Sequence, residues 1–118
     1  MKRKAITITD NGNITVPVET KMSIPEIADL FSIFYQTAKR HIRSIEKSGI
    51  VEGDYSMTCQ TEGGKVYPVY YGLEMVIAVA FRVHSPEAEM LRRWLTRRIT
   101  ELRVPRTILL SLQNPMLN

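Results

Sequence analysis

The stretch IADLFSIFYQTAKRHIRSI, residues 27–45, constrains this chain more than any other. Apolar residues recur at helical spacing on either side of an interruption at Ser32 to Phe34, which predicts two short helices packed across a tight corner. The first helix is announced by Ser23-Ile24-Pro25-Glu26. Serine caps free backbone amides, proline fits the first turn, and an acid three residues after the cap reaches back to complete a capping box. Ile24, Ile27, Ala28 and Phe31 form its buried stripe, with Leu30 beside it. The second helix, over residues 35–47, carries Ala38, Ile42 and Ile45 on one face and stops near Ser48-Gly49. Ser32 stands where such corners usually carry glycine, so a serine is expected to take up the turn at some strain cost.

The spacing matches a helix-turn-helix, with Ala28 small where the helices approach and Ile27, Phe31, Ala38 and Ile42 closing the corner from inside. Gln36, Thr37, Lys39, Arg40, Arg43 and Lys47 are left outside, four cations against the single acid Glu46. Side chains near the start of a recognition helix reach base edges, and cations farther along meet phosphates. Gln36 suits adenine, and Lys39 or Arg40 suits guanine, each good bidentate contact giving roughly 1–3 kcal/mol of discrimination. The same residues fit an amphipathic helix whose charged face is simply solvated, and helical spacing alone leaves both readings open. His41 reads as a half-buried packing residue.

The 118 residues fit one domain with one core. Ahead of the helices, AITIT and ITVPV flank Asp10-Asn11-Gly12-Asn13, a hairpin signal, with Pro17 placing its strand at an edge. After them, residues 55–71 hold two β-rich runs around Glu62-Gly63-Gly64-Lys65, a second hairpin with Pro68 again at an edge. Such a hairpin can act as a wing along the DNA backbone, with Lys65 as its phosphate contact. The apolar run from Gly72 to Val83 has the length of a helix rather than a strand. Ser85-Pro86-Glu87 opens a last helix with a core stripe of Ala88, Leu91, Leu95, Ile99 and Leu102, stopped by Val104-Pro105. Its arginines suit backbone phosphates or acids, and most are expected to pair with glutamates of this helix and acids of a partner, since Arg93 with Glu89 and Arg97 with Glu101 are neighbours on one face. The tail over residues 105–118 has the pattern of a short apolar helix that docks on another copy.

A net charge of +4 and a pI near 9.4 favour an anionic partner. The single cysteine, Cys59, excludes an internal disulfide framework and suits a reducing compartment. The start MKRKAITIT runs into an alternating segment rather than an apolar block, and the apolar run from Met75 to Phe81 is far short of the roughly 20 residues that span a bilayer. A cytoplasmic protein without membrane contact is expected. His41, Cys59 and His84 have no metal-ligand spacing, and no nucleophile motif or phosphate-cradling loop appears. No enzyme activity, catalytic residue, cofactor, metal or small-molecule substrate is expected.

Taken in order and spacing, IADLFSIFYQTAKRHIRSIEKSG and VYPVYYGLEMVIAVAFRVHSPEAEMLRRWL resemble the N-terminal domain of RhuM-like proteins, known as bacterial virulence-associated proteins. Tyr70, Tyr71, Leu73, Val76, Ile77, Val79, Arg82, Val83 and Ser85, then Arg92 and Trp94, carry the more specific part of the likeness, which spans residues 23–99. At the corner the chain has Ser32 and Phe34 where that family usually has glycine and a small polar residue. The resemblance implies a helix-turn-helix that binds DNA. The sequence is therefore expected to form a small α+β, winged-helix-like domain over residues 1–104, with two hairpins and one or two C-terminal helices. The expected partners are double-stranded DNA and a second copy of the chain, joined through the last helix and the tail. A transcriptional regulator is the leading expectation; a phage- or mobile-element-type antirepressor or adaptor that grips protein instead of DNA is the alternative.

Overall fold

Glu26 accepts hydrogen bonds from the Ser23 backbone amide at 2.8 Å and from the Ser23 hydroxyl at 3.0 Å, so the first helix starts where its capping signal stands. The structure, a computed structural model, describes residues 4–101. The expected tail over residues 105–118, its dimerising role and the stop at Val104-Pro105 lie outside the described residues. The chain forms an α+β domain with the order β1 (Thr7–Ile8), β2 (Ile14–Thr15), β3 (Met22–Ser23), α1 (Ile24–Phe31), α2 (Tyr35–Ser48), β4 (Cys59–Glu62), β5 (Lys65–Pro68), β6 (Tyr70–Tyr71), α3 (Leu73–Ala80) and α4 (Pro86–Glu101).

Each of the three sheets is a two-stranded antiparallel pair. The strands β1 and β2 pair over only two residues each, Thr7 with Thr15 and Ile8 with Ile14, much less than the five-residue runs in the sequence. Pro17 has no amide hydrogen to continue a ladder, and the chain turns away there to bring Thr20 beside Lys4. The strands β4 and β5 run in register from Cys59 opposite Pro68 to Glu62 opposite Lys65. Their two-residue turn is Gly63-Gly64, with φ of 59° and 79°, the double positive φ that matches strand twist in a tight hairpin. The expected second run is divided: Tyr70 and Tyr71 leave the hairpin and pair with Ser23 and Met22 as the β6–β3 sheet.

One core joins these parts. Ile27, Phe31, Ala38, Ile42, Tyr71, Met75, Val76, Val79, Ala88 and Leu91 are all sealed from solvent, with Ala28 and Ile45 almost so. Helix α1 packs on α2 and α4, and α3 packs on the same two. Buried residues of α4 are Ala88 and Leu91, whereas Leu95 and Ile99 of the expected stripe are half-buried. Length explains this: α1 and α3 have 8 residues and α4 has 16, so a helix of about 24 Å outruns neighbours of about 12 Å. Arg92 donates to the carbonyls of Ala80 and, at 3.1 Å, Val83, satisfying groups left open at the end of α3. Arg93 pairs with Glu89 at 2.6 Å as its spacing predicts, but Glu101 pairs with Arg98, at 3.7 Å, rather than with Arg97. Arg98 is one residue nearer to it, and the Arg-before-Glu order at four-residue spacing is the weaker orientation.

The corner between α1 and α2 is a left-handed helix stop built without glycine. Ser32 has φ 53° and ψ 45°; its amide donates to Asp29 O at 3.2 Å, and the Ile33 amide donates to Ala28 O at 3.0 Å. These are the paired bonds of a Schellman motif, with serine in the place where glycine is cheapest. Ser32→Gly is expected to stabilise the domain by about 0.5–1 kcal/mol. It relieves a left-handed strain of roughly 1–2 kcal/mol against a backbone-entropy loss of about 0.4–1 kcal/mol; a urea unfolding midpoint that moves upward checks it. A second substitution has the opposite sign. A Cβ at Gly53 would lie 2.2 Å from the Pro68 ring and 2.8 Å from the Tyr71 ring, so Gly53→Ala is expected to cost about 1–3 kcal/mol in the same assay.

Candidate nucleic-acid interface

Helix α2 turns Ala38, Ile42 and Ile45 to the core. Directly opposite, Gln36, Arg40 and Lys47 are exposed, with Ser44 beside them. Positions four and seven apart share a helix face, so these residues form one polar stripe along the outside of the domain. Thr37 is half-buried at its margin. The helix begins at Phe34, whose carbonyl accepts from the Ala38 amide at 3.0 Å, and whose side chain makes no capping bond.

The remaining two cations are held within the protein by the hairpin. Lys39 forms an ion pair with Glu62, and its ammonium lies 6.0 Å from the Tyr35 ring. Arg43 donates to the Tyr71 hydroxyl at 2.7 Å and to Glu46 at 3.1 Å, approaches Glu62 at 3.5 Å, and lies 3.8 Å over the Tyr67 ring. The Tyr71 hydroxyl donates in turn to Glu46 at 3.0 Å. Lys39 and Arg43 therefore face the hairpin, while Arg40 and Lys47 carry no ion pair among the described residues. Lys65 is exposed next to the turn, opposite Glu62.

On the other flank, Arg82 donates to Ser44 Oγ at 3.3 Å. Burial lowers the pKa of the half-buried His41, and the positive charges of Arg40 and Arg82 lower it further, which favours its neutral form. Burial and the Glu46 carboxylate raise the Tyr71 pKa well above its ordinary value. Burial pulls against the Arg43 charge, but Tyr71 and Glu46 outweigh it and raise that pKa overall. Lys39, bonded to Glu62, lowers the Glu62 pKa, with Arg43 adding to the effect.

Sequence reasoning named every cation on α2 but not the groups that engage them. Glu62, Tyr67 and Tyr71 lie about two dozen positions downstream, and no local spacing brings them to Lys39 and Arg43. Arg82 and Phe34 figure in the sequence only through the family likeness and the corner, not as candidate contacts. Among the described residues, no group of three or more His, Cys, Asp or Glu side chains is gathered to hold a metal ion. No helix among them is long and apolar enough to cross a membrane. No protein-family model, curated protein or solved structure compared with the chain matches it.

The Tyr71 hydroxyl bridges two half-buried charged groups, so Tyr71→Phe is expected to cost about 1–3 kcal/mol by leaving them one partner short. Linkage gives a second readout. A phenol whose pKa is higher in the folded state contributes stability that is complete below the ordinary value of 10.0 and is lost as pH rises past it. The wild-type chain should therefore lose stability faster than Tyr71→Phe above about pH 10, as followed by unfolding at a series of alkaline pH values.

Proposed function

We propose that this chain is a sequence-specific double-stranded-DNA-binding protein, a transcriptional regulator in which α1, the corner and α2 act as a helix-turn-helix and β4–β5 as the wing. The observation that carries the reading is the outer stripe of α2. It places Gln36, Arg40 and Lys47 in solvent on one face, where no acid in the described residues pairs with either cation. Arg82 on one flank and Lys65 on the hairpin extend the same sign of charge. Such a face suits a groove edge with phosphates on both sides. The likeness of residues 23–99 to the RhuM-like N-terminal domain points the same way. The chain is read as a binding protein rather than an enzyme, working as a dimer through α4 and the segment after it, because two half-sites one DNA turn apart supply the affinity that a short helix lacks.

Roles divide by geometry. Gln36 and Arg40 are the base-reading candidates, with Thr37 beside them; Lys47, Lys65 and Arg82 are phosphate contacts. Lys39 and Arg43 are restrained by Glu62 and set the attitude of the hairpin against α2, so Glu62 competes with phosphate for them.

Fluorescence-anisotropy titration of duplex DNA over a range of salt tests this reading. Affinity is expected to fall steeply with salt; Lys47→Ala should weaken it for every sequence and lower the salt slope by about one, and Arg40→Ala should weaken it and relax the sequence preference. Glu62→Gln is expected to tighten binding by up to about fivefold, because it releases Lys39 and Arg43 from a solvent-screened ion pair. Absence of binding to any duplex at low salt would sink the proposal and promote the adaptor reading.

A further inference from the structure

Phe34 is 85% exposed at the position where a helix normally begins with a polar cap. Its backbone does the work of starting α2, through the 3.0 Å bond from the Ala38 amide, and its side chain contributes nothing to capping. Exposing a whole aromatic ring forfeits the burial that usually justifies one. Phe34 precedes Gln36 and Arg40 at the N-terminal end of α2, and Tyr35 beside it is 40% exposed. The leading edge of the candidate interface is thus apolar while the stripe behind it is polar and cationic.

An apolar tip at the front of a cationic stripe calls for a ligand that is anionic overall and carries an apolar group within its recognised edge. Duplex DNA supplies one: among base edges in the major groove, only thymine presents a methyl group, and aromatic side chains contact it. Residues at the start of a recognition helix are the ones that reach base edges. We propose that Phe34 is a thymine-reading residue, its ring packed on the C5 methyl of a thymine next to the bases that Gln36 and Arg40 face. This inference rests on the DNA-binding reading above.

The test begins with a site selected from a random duplex pool by the full chain. Each thymine of that site is then replaced by deoxyuridine, which keeps the hydrogen-bonding edge and removes only the methyl. Replacement at one or two positions should weaken binding roughly fourfold, the worth of one buried methyl-sized group. Phe34→Ala should weaken binding to the unmodified site by a similar factor and erase the deoxyuridine effect there, whereas Phe34→Leu should keep it. Because the ring is exposed, Phe34→Ala should leave the thermal midpoint unchanged, which separates lost contact from lost fold. Tight binding with no deoxyuridine effect, or an effect that persists in Phe34→Ala, would overturn the thymine assignment while DNA reading stands. Failure to select any duplex overturns both.

Discussion

The three-way contact of Arg43, Tyr71 and Glu46 is the interaction on which the arrangement of the domain depends. Arg43 and Glu46 belong to α2, Tyr71 belongs to the β6–β3 sheet, and the Arg43 guanidinium also covers the Tyr67 ring of β5. The Tyr71 hydroxyl therefore ties α2 to the β6–β3 sheet, and the Arg43 guanidinium ties it to the β4–β5 hairpin. The Tyr71 ring is fully buried, so the two charged groups it meets are partly removed from water and their pairing strengthens. Such a cluster is costly when any member is missing, because the others are left with unmet charge. Gly53 belongs to the same arrangement: it passes against Pro68 and Tyr71 so closely that no larger residue fits.

This construction determines which residues the surface offers. A helix with four cations would present all of them if it stood alone. Docked against a hairpin that carries Glu62, α2 turns Lys39 and Arg43 inward and leaves Arg40 and Lys47 outside. The candidate interface is narrower and less charged than the amino-acid count of the helix suggests. Its front is set by Ser32, whose left-handed conformation reverses the chain and leaves Phe34 projecting at the start of α2. A serine and a phenylalanine at this corner are thus one structural statement: the turn is strained and the tip is apolar.

Local chemistry in the sequence foretold local structure well. The Ser23–Glu26 box, the stop at Gly49, the Gly63-Gly64 turn and the Ser85 cap, whose hydroxyl accepts from the Ala88 amide at 3.1 Å, each depend on residues within a few positions of one another. The buried faces of α1 and α2 followed from their apolar spacing for the same reason. What escaped was set by contacts across the chain. Nothing near Tyr70 and Tyr71 says that they leave their hairpin to pair with Ser23 and Met22, since a two-residue strand carries almost no pattern. Arg92 gave no sign of closing α3, because a lone arginine in a basic helix looks like any other surface charge. The candidate site divided along this line: its residue types were readable on α2, and their availability depended on a glutamate two dozen positions away.

The central claim is that the outer stripe of α2 is the surface that meets DNA. Amide chemical-shift mapping during titration with a duplex tests it most directly, since it reports location without removing any side chain. The account predicts that the shifted amides cluster from Phe34 to Lys47, with weaker changes at Lys65 and Arg82. Shifts centred instead on the arginines of α4, around Arg93, Arg97 and Arg98, with α2 unmoved, would contradict it.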